Sequence, residues 1–498
     1  MAQSKSQFVQ VLLVQSRLGR VDVHITLGPV GDRTESIYRQ LSAAIVDGRL
    51  RGGEGLPPTR DLAASLGVSR TTVSVAYDRL LAEGFTVSRP GAGTFVAAAR
   101  TSIASTRAPH GGTVHPRAIW ASVNPGLRNH DGAAYDFAVG VPDPGLFPLA
   151  AWRRSVVREL QSDSAVMRGY GNPAGLRGLR ASIARHLGLS RAVRAGEDDV
   201  IVTSGAQQAF DLIARVLVAP GDVVAVENPG YPPVRALFES LGARVVGVRV
   251  DGDGIVVAEI PPRAKLVYTT PSHQFPTAVR ATLDRRLELL AWADANNSVI
   301  LEDDYDSEFH YGAGSLDPLQ SLDRSGRVLY VGTFSKTLLP ALRIGFLVAP
   351  ASLTPALIAA KQLSDWHTDT VTQGALARLI DDGTFAGHVR KANRVYAGRR
   401  DAIRTGLVRE FDEWLEVAPS IAGLHLFAAL RTDQALRVDA VRAAAAAAGV
   451  GIQSVANFTV GPETMQSRRG FALGYGSINT EDIGVGLHRL AEVFARLS

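Results

Sequence analysis

Between residues 200 and 348, short and mostly apolar β-type runs alternate with helical stretches, and that rhythm restricts the fold more than any other feature. The runs are Val200-Ile-Val-Thr203, Val223-Val-Ala-Val226, Arg244 to Val250, Leu266-Val-Tyr268, Ser298-Val-Ile-Leu301, Val328-Leu-Tyr-Val331 and Ile344-Gly-Phe-Leu-Val348. Such runs need cover on both faces, and the helices between them supply it. The reading is an α/β domain with a mostly parallel sheet over residues 134–498. Sheets of this kind bind ligands at the carboxyl ends of their strands.

Polar residues gather at those ends. Ser204-Gly205-Ala206-Gln207 follows the first run and opens a helix read from Ala209, so free amides would face a phosphate there. A simple helix cap reads the same way. Tyr231 follows a strand and a Pro-Gly turn, and its ring either stacks on a flat ligand or is an ordinary half-buried tyrosine. Glu302-Asp303-Asp304-Tyr305-Asp306 directly extends a buried strand. Asp303 and Tyr305, two apart, would share one face. A carboxylate there could keep a pyridine nitrogen protonated; a solvated acidic turn is the plainer reading.

Thr333-Phe-Ser-Lys336 ends another run, with Arg343 seven residues beyond the lysine. Only five of the 53 lysines and arginines are lysine: Lys5, Lys265, Lys336, Lys361 and Lys391. Arginine cannot form a Schiff base and a lysine amine can. Lys336 therefore reads as an anchor for pyridoxal phosphate (PLP), or, taken alone, equally as a surface lysine.

The 498 residues exceed one ordinary core, so two or three domains are expected. With no cysteine there is no disulfide framework and no thiolate metal site, and no metal is expected. The formal charge of +5 permits a nucleic-acid partner. No apolar run reaches membrane-spanning length and no secretory pattern opens the chain, so a cytoplasmic protein is expected, without a membrane partner. Residues 8–14 and 21–27 read as short strands or as an extended arm.

Residues 34–97 form a separate basic module. Ile37, Leu41, Ala44 and Ile45 mark one helix, and Leu62, Ala63 and Leu66 a second. Ser69 caps a third, which turns Val73, Ala76, Tyr77 and Leu80 inward. Two strands follow around Pro90-Gly91. This is a winged helix-turn-helix, and Arg60, Arg70 and Arg89 supply the cations that phosphates need. Residues 98–133, rich in Ala, Ser, Thr, Gly and Pro, read as a tether.

Two resemblances follow. The stretch from Tyr38 to Val96, with its Leu-Pro-Pro-Thr-Arg60 turn and Gly91-Ala-Gly93 tip, resembles the GntR family of bacterial transcription regulators. That resemblance implies DNA contacts by Arg60, Ser69, Arg70, Thr71, Thr72 and Gly91. Residues 135–495 resemble the type I aminotransferase fold, with a smaller C-terminal subdomain. It implies a Schiff base between PLP and Lys336, with Asp303 on the pyridine nitrogen and Tyr305 on the phenolic oxygen. Thr333, Arg343 and the Ser204, Gly205, Ala206, Gln207 loop would hold the phosphate, and Tyr231 would stack on the ring. The strings TPSHQFPT and EDDYDSEF resemble the MocR branch, in which the two parts are fused.

One departure stands out. The arginine that binds a substrate carboxylate in aminotransferases lies two residues before a Gly-aromatic pair. Counted from Gly474-Tyr475, that position is Ala472, with Arg468 and Arg469 out of register. The expectation is a homodimeric regulator that binds operator DNA and senses PLP, alone or with a small amine or amino acid. The alternative is a working aminotransferase.

Overall fold

The computed structural model describes residues 14–16, 19–21, 25–97, 113–121, 123, 132–161, 169–312, 317–431, 436–460 and 469–498. Most of the expected tether lies outside them, as do residues 8–13 and 22–24 of the expected strands or arm. The chain divides into two compact units, Met1–His115 and Pro116–Ser498.

In the first unit β1 (Val14–Ser16) pairs antiparallel with β2 (Gly19–Val21). Then come α1 (Arg33–Val46), α2 (Thr59–Leu66), α3 (Arg70–Ala82) and the hairpin β3 (Thr86–Arg89) and β4 (Gly93–Val96). The apolar positions at helical spacing close one core, in which Ile37, Leu41, Leu62, Val73, Leu80 and Val96 meet. The Ser69 hydroxyl accepts from the Thr72 amide at 3.1 Å and so starts α3 where the sequence places it. The Tyr77 hydroxyl donates to the Pro57 carbonyl at 2.8 Å, tying α3 to the turn that carries Arg60.

The second unit opens with β5 (Tyr135–Asp136), α4 (Leu149–Gln161) and α5 (Arg177–Arg191). The large sheet follows in chain order: β6 (Val200–Thr203), α6 (Ala206–Leu217), β7 (Val223–Asn228), α7 (Pro232–Ser240), β8 (Arg244–Asp251), β9 (Gly254–Ile255), β10 (Ala264–Thr269), α8 (Leu283–Ala295), β11 (Val299–Asp304), α9 (Leu319–Leu322), β12 (Val328–Thr333) and β13 (Gly345–Val348). The strand order is β6-β13-β12-β11-β10-β7-β8-β9. From β12 to β8 all neighbours are parallel, and β13 runs antiparallel between β12 and β6.

Alternation along each strand serves two cores. Val224, Val226, Leu266 and Leu301 pack with Phe210 and Ile213 of α6. Val223, Ala225, Val267 and Ile300 pack with Leu289 and Ala293 of α8 on the other face. The helix after β6 begins at Ala206, not Ala209, because Gly205 turns the chain with φ 79°.

The smaller part contains α10 (Thr354–Asp365), α11 (Thr370–Asp381), α12 (Thr384–Phe411), β14 (Leu415–Val417), β15 (His425–Leu430), α13 (Val438–Ala447), β16 (Val450–Gly451), β17 (Gln453–Ser454), β18 (Gly470–Gly474) and α14 (Thr480–Leu497). Its four-stranded sheet runs β14-β15-β18-β17, with α12 and α14 packed on it through Tyr396, Ile403, Leu487 and Phe494. Among the described residues no helix is long and apolar enough to cross a membrane.

Candidate functional site

Parallel pairing aligns the carboxyl ends of β10, β11 and β12, because Asp303 of β11 lies opposite Val331 of β12. A cavity of about 220 Å³ opens there, lined by Lys336, Asp303, Tyr305, Tyr231, Thr333 and Arg343 among others. Ala206 and Gln207 line it from the start of α6. Eight of the ten residues expected at a PLP site thus face one space. Ser204 and Gly205 shape it without lining it: the Arg343 guanidinium donates to the Ser204 carbonyl at 3.0 Å. A Cβ on Gly205 would sit 2.5 Å from that guanidinium, so only glycine lets the arginine lie across the loop. Arg343 itself holds the left-handed φ of 50°, a conformation that costs a non-glycine residue on the order of 1 kcal/mol. Its contact with Ser204 helps hold it there.

Lys336 is half-buried and its amine donates to the Gly140 carbonyl at 2.6 Å. Burial lowers its pKa, and the carboxylates of Asp306 and Asp303 oppose that shift. A lowered pKa raises the share of neutral amine, the form that attacks a carbonyl carbon.

Asp303 is 6% exposed. Its Oδ2 accepts from the Tyr268 hydroxyl at 2.7 Å, and its Oδ1 is buried with no hydrogen-bond partner. Burial raises its pKa to about 7, against the Tyr268 hydrogen bond that lowers it. Asp303 lines the cavity, and a carboxylate with one unpartnered oxygen suits a ligand that brings a cationic N–H. The protonated pyridine nitrogen of PLP is such a group, and the Arg343 cradle suits its phosphate.

The Tyr305 hydroxyl donates to the His273 carbonyl at 2.9 Å rather than standing free in the cavity. The Thr333 hydroxyl donates to Ser335 Oγ at 3.0 Å, so Ser335, also a lining residue, stands beside the hydroxyl expected at the phosphate. Its place directly before Lys336 was the available signal. Tyr231 meets Phe275 edge-on with ring centres 5.7 Å apart, and burial raises its pKa to about 12. Gly140, Tyr268 and Gln453 escaped the sequence reading. No local pattern marks a carbonyl or phenol that becomes a partner only through the fold.

Ala472 is fully buried in β18 and pairs with Gln453, so no cation stands at that position. Arg469 is committed to the Leu436 carbonyl. β18 also carries a second Gly-aromatic pair, Gly470-Phe471, from which the carboxylate position counts back to Arg468, outside the described residues.

On the first unit, Arg60 and Arg70 are exposed. Arg60 pairs with Asp61 at 3.1 Å, and Arg70 reaches Thr59 Oγ1 at 3.4 Å, joining the starts of α2 and α3. Thr71 is exposed beside them, while Thr72 turns its hydroxyl to Ser69 Oγ at 2.8 Å. Gly91 sits at the β3–β4 tip with φ 74°, and a Cβ there would meet nothing within 4 Å.

Residues 134–468 match the model for aminotransferase class I and II, and residues 33–96 that for bacterial regulatory proteins of the gntR family. The chain is 36% identical over 471 residues to the probable rhizopine catabolism regulatory protein MocR of Rhizobium meliloti, covering 93% of both. It is 31% identical over 371 residues to the pyridoxine biosynthesis transcriptional regulator PdxR of Corynebacterium glutamicum, 74% of this chain and 78% of that one. Among solved structures, a kynurenine aminotransferase of Pyrococcus horikoshii in complex with PMP superposes with a TM-score of 0.67 and 28% identity, over 74% of this chain and 91% of its own.

Proposed function

This chain belongs to the MocR-type branch of the GntR-family regulators, and from that premise we propose a PLP-sensing transcription regulator of the cytoplasm. Residues 34–97 read operator DNA, 98–133 tether, and 134–498 hold PLP. The observation that carries the sensor is that Asp303, with one oxygen lacking a hydrogen-bond partner, lines the same cavity as Lys336. When bound, PLP supplies an aldehyde carbon for that amine and an electron-withdrawing ring. Lys336 provides the neutral amine, Asp303 holds a proton on the ring nitrogen, and Tyr231 covers the ring. Arg343 and the amides of Ala206 and Gln207 take the phosphate, with Thr333 and Ser335 beside them. The named role of the PdxR relative supports PLP as the effector.

Occupancy can shift DNA binding only if PLP binds the two DNA-binding arrangements of the protein with different affinity. A homodimer would present two readers to half-sites about 34 Å apart, one turn of DNA. Footprinting upstream of the gene with and without PLP is the direct test. The footprint should change with PLP in the native chain and not in Lys336→Ala, which should also lose the visible absorption of bound PLP. Equal operator affinity with and without PLP would sink the sensor reading.

The second reading is an active aminotransferase acting on amino acids. The placement of Lys336, Asp303 and Tyr305 around one cavity favours it, as does the sequence count from Gly470-Phe471 back to Arg468. Measurable turnover of amino-acid donors by the purified chain would establish it.

A further inference from the structure

Beneath Tyr305 lies a buried group that the PLP site does not use: His273, Asp306 and His425, each at most 2% exposed. His273 Nδ1 stands 3.1 Å from both Asp306 oxygens and 3.2 Å from the Tyr305 hydroxyl. Asp306 Oδ2 also accepts from the Leu424 amide at 3.2 Å. His425 packs its ring 4.5 Å from that of His273. Gly423 closes the remaining side, since a Cβ there would collide with the His273 ring and with Asp306.

We propose that His273, with its tautomer fixed by Asp306, is the positioning residue that keeps the Tyr305 proton available to an oxygen in the cavity. The inference rests on the PLP reading of that cavity. A carboxylate facing Nδ1 requires the hydrogen to be on Nδ1. That nitrogen is then a donor and cannot capture the Tyr305 proton. The hydroxyl is left on the His273 main-chain carbonyl, a weaker acceptor than an imidazole nitrogen, from which it can turn to a phenolate in the cavity. Without Asp306 the other tautomer becomes available, Nδ1 becomes a basic acceptor 3.2 Å from the hydroxyl, and the proton is drawn away.

The three groups also offer donor atoms within 4.8 Å of one another, the reach of a metal site. Both Asp306 oxygens already face hydrogen-bond donors, however, and Gly423 packs against the group. The hydrogen-bonded network therefore accounts for the arrangement. The other charged or titratable groups that bear on Tyr305 are Asp303, Glu227 and Asp304, and Lys336 lies across the cavity.

Two measurements test the role. In the full chain without PLP, histidine ¹⁵N shifts should report the Nδ1–H tautomer for His273 and its loss in Asp306→Asn. With PLP bound, Asp306→Asn should raise the pH midpoint of the visible band by about one unit, the worth of one hydrogen bond to a charged group. In a Tyr305→Phe background the same substitution should bring no rise, leaving only the fall due to the lost Asp306 charge. A fall in the single variant, the sign expected if Asp306 acts on Lys336 by charge alone, or an equal shift in both backgrounds would overturn the proposal. An Nε2–H tautomer in the unsubstituted chain would overturn it whether or not the variants fold, as would stoichiometric metal in the protein as isolated. If the unsubstituted chain shows no band with PLP, the reading of the cavity fails, and the cofactor-free tautomer still judges His273.

Discussion

Asp303 makes the cavity sensitive to pH. An acid whose pKa rises on folding holds its proton more tightly in the folded chain, so stability falls as pH climbs from about 4 towards 7. Burial raises Asp303 to about 7, and Glu302 and Glu308 likewise to about 7. The Tm of the cofactor-free protein should therefore drop over this window, with Asp303 responsible for a loss on the order of 4 kcal/mol at most. Asp303→Asn should shallow the fall, and added PLP should flatten it further by placing a cation beside the carboxylate. A Tm profile that does not respond to either change would argue against Asp303 as the ring partner. Asp303 itself was legible because it extends an apolar run. Its partner Tyr268 was not, since the two are 35 residues apart and meet only across adjacent strands.

At the level of elements, α3 carries the DNA prediction. Its inward residues match the helical spacing read from the sequence, which leaves Arg70 and Thr71 on the open side. Arg70→Ala should weaken operator binding in gel-shift titrations and reduce the slope of log K against log salt by about 1, the signature of one lost phosphate contact. The visible band of bound PLP should stay unchanged. The start of α3 was legible because a cap spans only four residues: Ser69 meets the Thr72 amide wherever the chain around it lies. The start of α6 was misplaced by three residues because Gly205 takes a turn with φ 79° that brings the chain into helix sooner. The Arg343 guanidinium fills the space beside that glycine, a contact 138 positions away in the chain that no local pattern announces.

Across the whole molecule the two units hold separate cores, one around Ile37, Leu41 and Val73 and others around the two sheets. Calorimetry should show two transitions, and PLP should raise only that of the larger unit, by about 2.7 kcal/mol at a hundredfold excess over Kd. A single transition that shifts as one would mean that the units unfold together. The chain's pattern by itself determined the two kinds of fold, the strand ends that carry polar residues and the face of α3 that stays open. These depend on periodicity, caps and the burial of apolar runs, all of which act within a few residues. Only the tertiary structure decided that the Lys336 amine rests on the Gly140 carbonyl, 196 residues away, that Ser335 stands with Thr333, and that the Tyr305 proton is turned towards His273. Those contacts form where distant segments pack, so their partners are set by sheet order and register and not by neighbours in the chain.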